Sequence, residues 1–187
     1  RCMKKNKMTF DDYKNELQFI RYRGGVIHQY PSRLHYTSDY MFDNEKKGVW
    51  KNMTKEIGGV RYDKKLNFMS THPDSYRQIR ENPGFLKVIQ EQEKEINSRE
   101  TYHIPKQLVS GISDKLNNGD IIGITADMEG LDTSHTGVVM RQNGAAYFLH
   151  APLAVKKVTI SEKPLAEYLA GNKRQIGIMV ARPLEPV

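Results

Sequence analysis

The chain has 187 residues, of which 38% are hydrophobic and 27% are charged, a composition typical of a globular protein. It has no apolar run near the roughly 20 residues that a transmembrane helix needs, and its first ten residues do not resemble a signal peptide. The single cysteine excludes an internal disulfide framework. The sequence begins at Arg1 rather than at Met, and we interpret Arg1 as a cut end or a first ordered residue, which leaves an upstream segment open.

The net charge is +7 at pH 7, with 29 basic and 22 acidic residues. Such a surface favours anionic partners, which include nucleic acid, anionic lipid and acidic cell-wall polymers. The alternative is that the lysines, which are scattered along the first hundred residues, only solvate the surface. No zinc-finger spacing, helix-turn-helix signature or ribonucleoprotein motif accompanies the charge, and we therefore predict no nucleic-acid partner.

The first 104 residues have the pattern of short amphipathic helices. Thr9 and Asp12 form a capping box before a helix in which apolar residues recur at helical spacing as far as Ile20. Gly24 and Gly25 are expected to end this helix. Further helices are predicted from about Ser38 to Gly48, after Pro73, and from about Gly84 to Ser98.

The pattern becomes β-rich after residue 104. A short helix is expected near residues 106–116, followed by strands at 121–125, 136–140, 146–149 and 155–160. A helix over 161–170 should end at Gly171, and a last strand should span 175–181. We therefore predict an α+β fold, in which a helical lobe (residues 1–104) packs on a small antiparallel sheet or barrel (residues 105–187) as one compact unit.

Two histidines are predicted to meet across a hairpin. Asn143 and Gly144 favour a two-residue type I′ turn, because both central positions of that turn need positive φ. The resulting register places His150 opposite Gly137, whose missing side chain should leave space for the ring. Because Gly137 is two residues from His135 on the same strand, His135 and His150 should lie on the same face of the sheet. The two rings should lie within about 6 Å of each other as diagonal neighbours. A three-residue loop would instead place one histidine on the opposite face.

Such a pair suits nucleophilic catalysis. One imidazole acts as a general base, and the other fixes its tautomer through a hydrogen bond to the far ring nitrogen. A lone histidine at a strand end is usually structural, so the prediction depends on the pair. Ser134 adjoins His135 and should point to the opposite face, which argues against a serine nucleophile.

A metal site is not predicted. The remaining histidines fall at no recognised ligand spacing, and we therefore expect no metal or organic cofactor. These histidines are His28, His35, His72 and His103.

The amino-acid sequence around the histidine pair resembles that of the NlpC-like cell-wall cysteine peptidases. The segments are LNNGDIIG (116–123) and SHTGVVMRQNGAAYFLHAP (134–152), which match at Asp120, His135, Gly137, Gly144, His150 and Ala151. The rest of the chain is similar to one branch of that clan, described as N-acetylmuramoyl-L-alanine amidase-like. The branch-specific segments are LQFIRYRGG (17–25), SRLHY (32–36), DNEKKG (43–48), GLDTSH (130–135) and NKRQIGIMVARP (172–183).

This resemblance implies a papain-like fold with a cysteine, a histidine and a third polar residue in that chain order. The family's cysteine lies in an Asp-Cys-Ser/Thr motif that opens a helix, and no segment of this sequence matches it. The motif is expected about a helix length upstream of Arg1. We interpret Cys2 as a structural cysteine. The alternative is that Cys2 is the nucleophile, because Lys4 and Lys5 supply the cationic surroundings that lower a thiol pKa.

The resemblance also implies a substrate and a compartment. It implies an amide hydrolase that acts on peptidoglycan peptides or on the muramyl-alanine amide, in the periplasm or outside the cell. His135 and His150 are the expected catalytic residues. The predicted substrate-binding residues are Arg33, His35, Tyr36, Asp132 and Ser134, with a packed, loop-shaping role as the alternative. Some members of this branch are labelled xylanase-like, so a glycosidase is the second hypothesis and a degenerate cell-wall-binding module the third.

Overall fold

One antiparallel sheet of eight strands organises residues 9–185, the part of the chain that the computed structural model describes. The strands are β1 (Trp50–Asn52), β2 (Val60–Arg61), β3 (Tyr102–Pro105), β4 (Ile121–Ala126), β5 (Thr133–Gln142), β6 (Ala145–His150), β7 (Thr159–Ile160) and β8 (Gln175–Pro183). Their order is β2-β3-β8-β4-β5-β6-β7, and β1 pairs with β8. The first three, β1 to β3, begin before residue 105 and were not predicted, because strands of two to four residues are too short to show alternation.

Within residues 9–185, six α-helices accompany the sheet. They are α1 (Phe10–Arg21), α2 (Thr37–Lys46), α3 (Phe68–Thr71), α4 (Arg77–Glu81), α5 (Gly84–Asn97) and α6 (Leu165–Ala170). The predicted capping box is confirmed, since the Asp12 backbone N–H donates to Thr9 Oγ1 at 3.2 Å and the Thr9 N–H donates to the Asp12 carboxylate at 2.8 Å. Gly24 and Gly25 follow α1 with φ of 60° and 79°, a conformation that suits glycine. None of the described helices has the length and apolarity required to cross a bilayer.

Two predicted elements differ from the structure. The strand expected over 155–160 is reduced to β7, because Lys156 has a positive φ of 55° and the preceding loop leaves Leu153 93% exposed. The helix expected over 106–116 is a pair of 3₁₀ helices, Lys106–Leu108 and Ser110–Lys115.

Different helices pack on the two faces of the sheet. The larger core lies on the face that carries Val139 and Phe148, and α6 packs there through Leu165 and Leu169. The helix α2 covers part of the opposite face, where Met41 packs with Trp50 from β1 and with Met179 and Ala181 from β8. The alternation of strand residues places the β5–β6 histidines at the end of the first face.

Candidate active site

His135 and His150 meet at the open end of the β5–β6 hairpin. Gly137 lies opposite His150, as the Asn143-Gly144 turn predicted, and both turn residues have positive φ. His135 Nε2 lies 2.8 Å from His150 Nδ1, and the two ring centroids are 5.1 Å apart. The predicted geometry is therefore confirmed, and the catalytic roles of the two residues remain a proposal.

Phe148 holds the two imidazoles in place. Its ring centroid lies 5.7 Å from that of His135 and 4.7 Å from that of His150, and the Tyr168 ring packs 5.2 Å from His150 and 5.6 Å from Phe148. A methyl group on Gly137 would lie 2.5 Å from the Phe148 ring. The space at Gly137 is thus occupied by Phe148 rather than by the His150 ring, which corrects the expectation from the hairpin register alone.

The surroundings of the pair favour neutral imidazoles. Burial lowers the pKa of His135. Burial also lowers the pKa of His150, and the neighbouring charge of His135 lowers it further. Because a close N···N contact needs one donor and one acceptor, one ring nitrogen carries the shared proton and the other accepts it. A neutral His135 retains a lone pair with which it can accept a proton.

A β-bulge lies directly before His135. His135 pairs with Ile124, whereas Thr133 pairs with Thr125, so Ser134 is an extra residue on β5. Ser134 is exposed. Bulges redirect the side chains beside them and are common next to active sites. The bulge therefore helps to set the direction in which the imidazole of His135 points.

Asp132 joins the loop before β5 to the start of α2. It is buried, and its Oδ2 accepts hydrogen bonds from the Ser38 backbone N–H at 2.7 Å and from Ser38 Oγ at 2.9 Å. Its Oδ1 accepts from the Thr133 N–H at 2.7 Å. Burial raises the pKa of Asp132, while these hydrogen bonds act in the opposite direction. Both oxygens are engaged within the protein, which favours the loop-shaping alternative for this residue.

The predicted substrate residues Arg33, His35 and Tyr36 differ in how accessible they are. Tyr36 is buried, where its hydroxyl donates to Glu93 at 2.7 Å and accepts from the Met69 N–H at 3.0 Å. His35 donates from Nε2 to the Tyr30 carbonyl at 3.2 Å, and burial is the main cause that lowers its pKa to about 4. Arg33 is exposed.

Arg33 lines a cleft of about 360 Å³ that reaches Thr136, the neighbour of His135 in the chain. Arg21 and Tyr40 line the same cleft and were not among the residues predicted from the sequence. Nothing in the local sequence around either residue indicates this position, because the cleft forms between segments that are distant in the chain. Within residues 9–185, no group of three His, Cys, Asp or Glu side chains is placed to hold a metal ion.

The family follows from comparison with known proteins. A family model described as AmiA-like, N-acetylmuramoyl-L-alanine amidase-like, matches residues 2–178. The chain belongs to the AmiA-like family. No curated protein matches it.

Solved structures agree with this family. An N-acetylmuramoyl-L-alanine amidase from Bacteroides uniformis is 29% identical, with a TM-score of 0.91, and the match covers 99% of this chain and 78% of that one. A Bacteroides fragilis protein, provisionally named a xylanase, is 32% identical, with a TM-score of 0.88 and coverage of 96% and 79%. A Legionella pneumophila protein with 21% identity, a TM-score of 0.64 and coverage of 95% and 70% shows the fold alone.

Adding one methyl group at Gly137 tests the packing of this AmiA-like site. The new Cβ would lie 2.5 Å from both the Leu149 carbonyl oxygen and the Phe148 ring, and the carbonyl cannot move without disturbing the hairpin. We expect Gly137→Ala to lower the free energy of unfolding by about 1–3 kcal/mol, the usual cost of overpacking. Chemical denaturation measures this loss. Gly111→Ala is the control, because its added Cβ meets no atom within 4 Å and should change stability little.

Proposed function

We propose that this protein hydrolyses an amide bond of bacterial peptidoglycan, with a cysteine thiol as nucleophile and His135 as the general base. Membership of the AmiA-like family supports an amide hydrolase of the cell wall. The observation that carries the catalytic assignment is the 2.8 Å contact between His135 Nε2 and His150 Nδ1. Such a contact directs one nitrogen of the base toward its positioning partner and leaves the other for the nucleophile.

The tautomers follow from this assignment. To accept a proton from a thiol, His135 Nδ1 must be unprotonated, so its proton lies on Nε2 and is donated to His150 Nδ1. His150 then carries its own proton on Nε2. When His135 gains a second proton, the Nε2–H bond to His150 persists and stabilises the imidazolium. His150 is therefore a positioning residue in this proposal.

The reaction has two halves. The thiol proton passes to His135 while the sulfur attacks the amide carbonyl carbon; the C–N bond then breaks, and His135 protonates the departing amine. Water next attacks the thioester, His135 accepts its proton, and the released sulfur regains a proton as the carboxylic acid departs. The bond cleaved is either the muramyl-alanine amide or a peptide bond of the stem.

The name of the Bacteroides fragilis relative supplies the second candidate, a glycoside hydrolase. That chemistry requires two carboxyl groups on either side of a sugar bond. The described residues contain four buried carboxylates, and each already binds a protein partner: Asp39, Glu93, Asp120 and Asp132. These engaged carboxylates disfavour the glycosidase relative to the amide hydrolase.

The test is digestion of purified peptidoglycan by the protein expressed from its complete gene. Release of soluble muropeptides with new amino termini or free lactyl groups supports the amide hydrolase and identifies the bond. Release of xylo-oligosaccharides from xylan, without muropeptides, would replace it with the glycosidase. Binding of peptidoglycan with no release from either polymer would instead support a binding module.

A labelling experiment decides whether Cys2 is the proposed thiol. Cys2 lies outside the described residues, and in the sequence it precedes the capping box of α1 rather than following an Asp in the family's motif. We expect iodoacetamide to alkylate it with an ordinary pH profile centred near about 8.5. Rapid alkylation below pH 7 that disappears in His135→Ala would contradict this expectation and assign the nucleophile to Cys2.

A further inference from the structure

The cleft beside β5 has an unbalanced positive charge. Two of its lining residues, Arg21 at the end of α1 and Arg33, have side chains with no hydrogen bond or ion pair within residues 9–185. Most other arginines within residues 9–185 are paired, as Arg23 and Arg99 are with Asp39 and Arg182 is with Asp120, whereas the exposed Arg174 is not. The cleft therefore brings together two guanidinium groups that have no partner among the described residues.

The groups around these arginines do not neutralise them. The nearby carboxylate of Asp39 is already held by Arg23 at 2.6 Å and by Arg99 at 2.7 Å. His35 is neutral at physiological pH, since burial and the charge of Arg33 lower its pKa. The fold fixes the relative positions of the two segments, because the Leu34 N–H donates to the Arg21 carbonyl at 3.0 Å.

The cleft reaches β5, the strand that carries His135, from the face of the sheet opposite the histidine rings. Thr136 lines it, and adjacent Cα atoms in a strand are about 3.8 Å apart, so the cleft reaches the backbone next to His135. The pairing of β5 with β6 begins only at Gly137, which leaves the edge of β5 unpaired on that side at Thr136 and His135. An extended ligand can therefore lie in the cleft and cross this edge toward the imidazole.

We propose that Arg21 and Arg33 bind a carboxylate group of the substrate peptide, next to the bond that is cleaved. This inference rests on the proposed function and names the substrate class: a stem peptide with a free acidic group. Arginine suits this role because its planar fork donates two parallel hydrogen bonds to a carboxylate. Tyr40 and Thr136, whose side chains carry hydroxyl groups, also line this cleft.

Calorimetry with a matched pair of peptides tests the proposal. The two peptides are L-Ala-γ-D-Glu-L-Lys and its counterpart with the glutamate α-carboxyl as carboxamide, both amidated at the C-terminus so that they differ in one charge. We expect residues 1–187 to bind the acid about 10-fold more tightly or better, as for a hydrogen bond between charged groups. Arg33→Gln and Arg21→Gln should each reduce this preference, while Arg33→Lys should retain part of it.

Arg174→Gln is the control, because Arg174 is exposed, lies outside the cleft and has no side-chain ion pair among the described residues. It should leave the preference unchanged. Equal binding of both peptides, unaffected by Arg33→Gln, would overturn the carboxylate site and leave the proposed function standing. Binding of neither peptide would overturn the site together with the stem-peptide substrate. Displacement by glycerol phosphate at lower concentration than the acidic peptide would reassign the cleft to a phosphate ligand.

Discussion

Replacing His135 by Ala should reduce muropeptide release from peptidoglycan by roughly four to six orders of magnitude, as removal of the base does in other nucleophilic hydrolases. The substitution removes the proton acceptor for the nucleophile and the proton donor for the leaving amine. The ring of His135 is partly exposed and makes one hydrogen bond with the described residues, to His150, so the fold should survive. Initial rates of release on purified peptidoglycan measure the effect, and thermal unfolding checks the fold.

Two further variants, a control and a change at the positioning residue, are compared with His135→Ala. His28→Ala is the matched control, because His28 is exposed and, within the described part of the chain, its backbone N–H rather than its ring forms a hydrogen bond. His150→Ala should reduce the rate by about 10⁴-fold or less, since it removes the group that orients the base and keeps the base itself. Full activity of His135→Ala on peptidoglycan would refute the proposed mechanism. Xylan cleavage that survives the same substitution would transfer the assignment to a glycosidase.

The histidine pair was predictable because a local signal fixed a non-local contact. Asn143 and Gly144 determine the turn type, the turn determines the register, and the register places His135 near His150. The period of two along a strand then fixes the face without any knowledge of the remaining fold. The part of the site formed by this one hairpin could therefore be inferred from the sequence.

The parts assembled from distant segments could not be predicted in this way. Ser38 and Asp132 are 94 positions apart, and neither has a sequence pattern that indicates the other. Arg21 and Arg33 meet in one cleft through an isolated bridge between Tyr22 and Arg33, which is too short to produce a strand pattern. The papain-like relationship and the cysteine nucleophile depend on the resemblance and remain predictions.

The family resemblance predicted substrate contact for residues that the fold uses internally. Tyr36 was assigned to the substrate because it lies in a family-specific segment, and Asp132 because it lies close to His135, yet both are buried and hydrogen-bonded within the protein. Segments shared within a family include residues that shape a site as well as residues that touch a ligand. Of the residues predicted to contact substrate, Arg33 is exposed, lines a cleft and has no side-chain hydrogen bond or ion pair within residues 9–185.

Replacing Asp132 by Ala should destabilise the protein and impair catalysis together. Its carboxylate accepts from two backbone N–H groups, those of Ser38 and Thr133, and each donor left unsatisfied costs about 1–3 kcal/mol. Because burial raises the pKa of Asp132, the carboxylate already carries a desolvation cost, and we expect a net loss of about 2–4 kcal/mol in the free energy of unfolding. Urea denaturation measures this loss.

The catalytic effect distinguishes positioning from substrate contact. Asp132 anchors the loop that leads into the bulge and His135, so its loss should lower kcat more than it raises KM. Glu129→Ala is the matched control, an exposed carboxylate in the same loop that should change neither stability nor rate appreciably. If Asp132→Ala left stability and kcat unchanged and raised KM, the carboxylate would be shown to bind substrate. Such a result means that the lost interaction stabilised the bound substrate and the transition state equally.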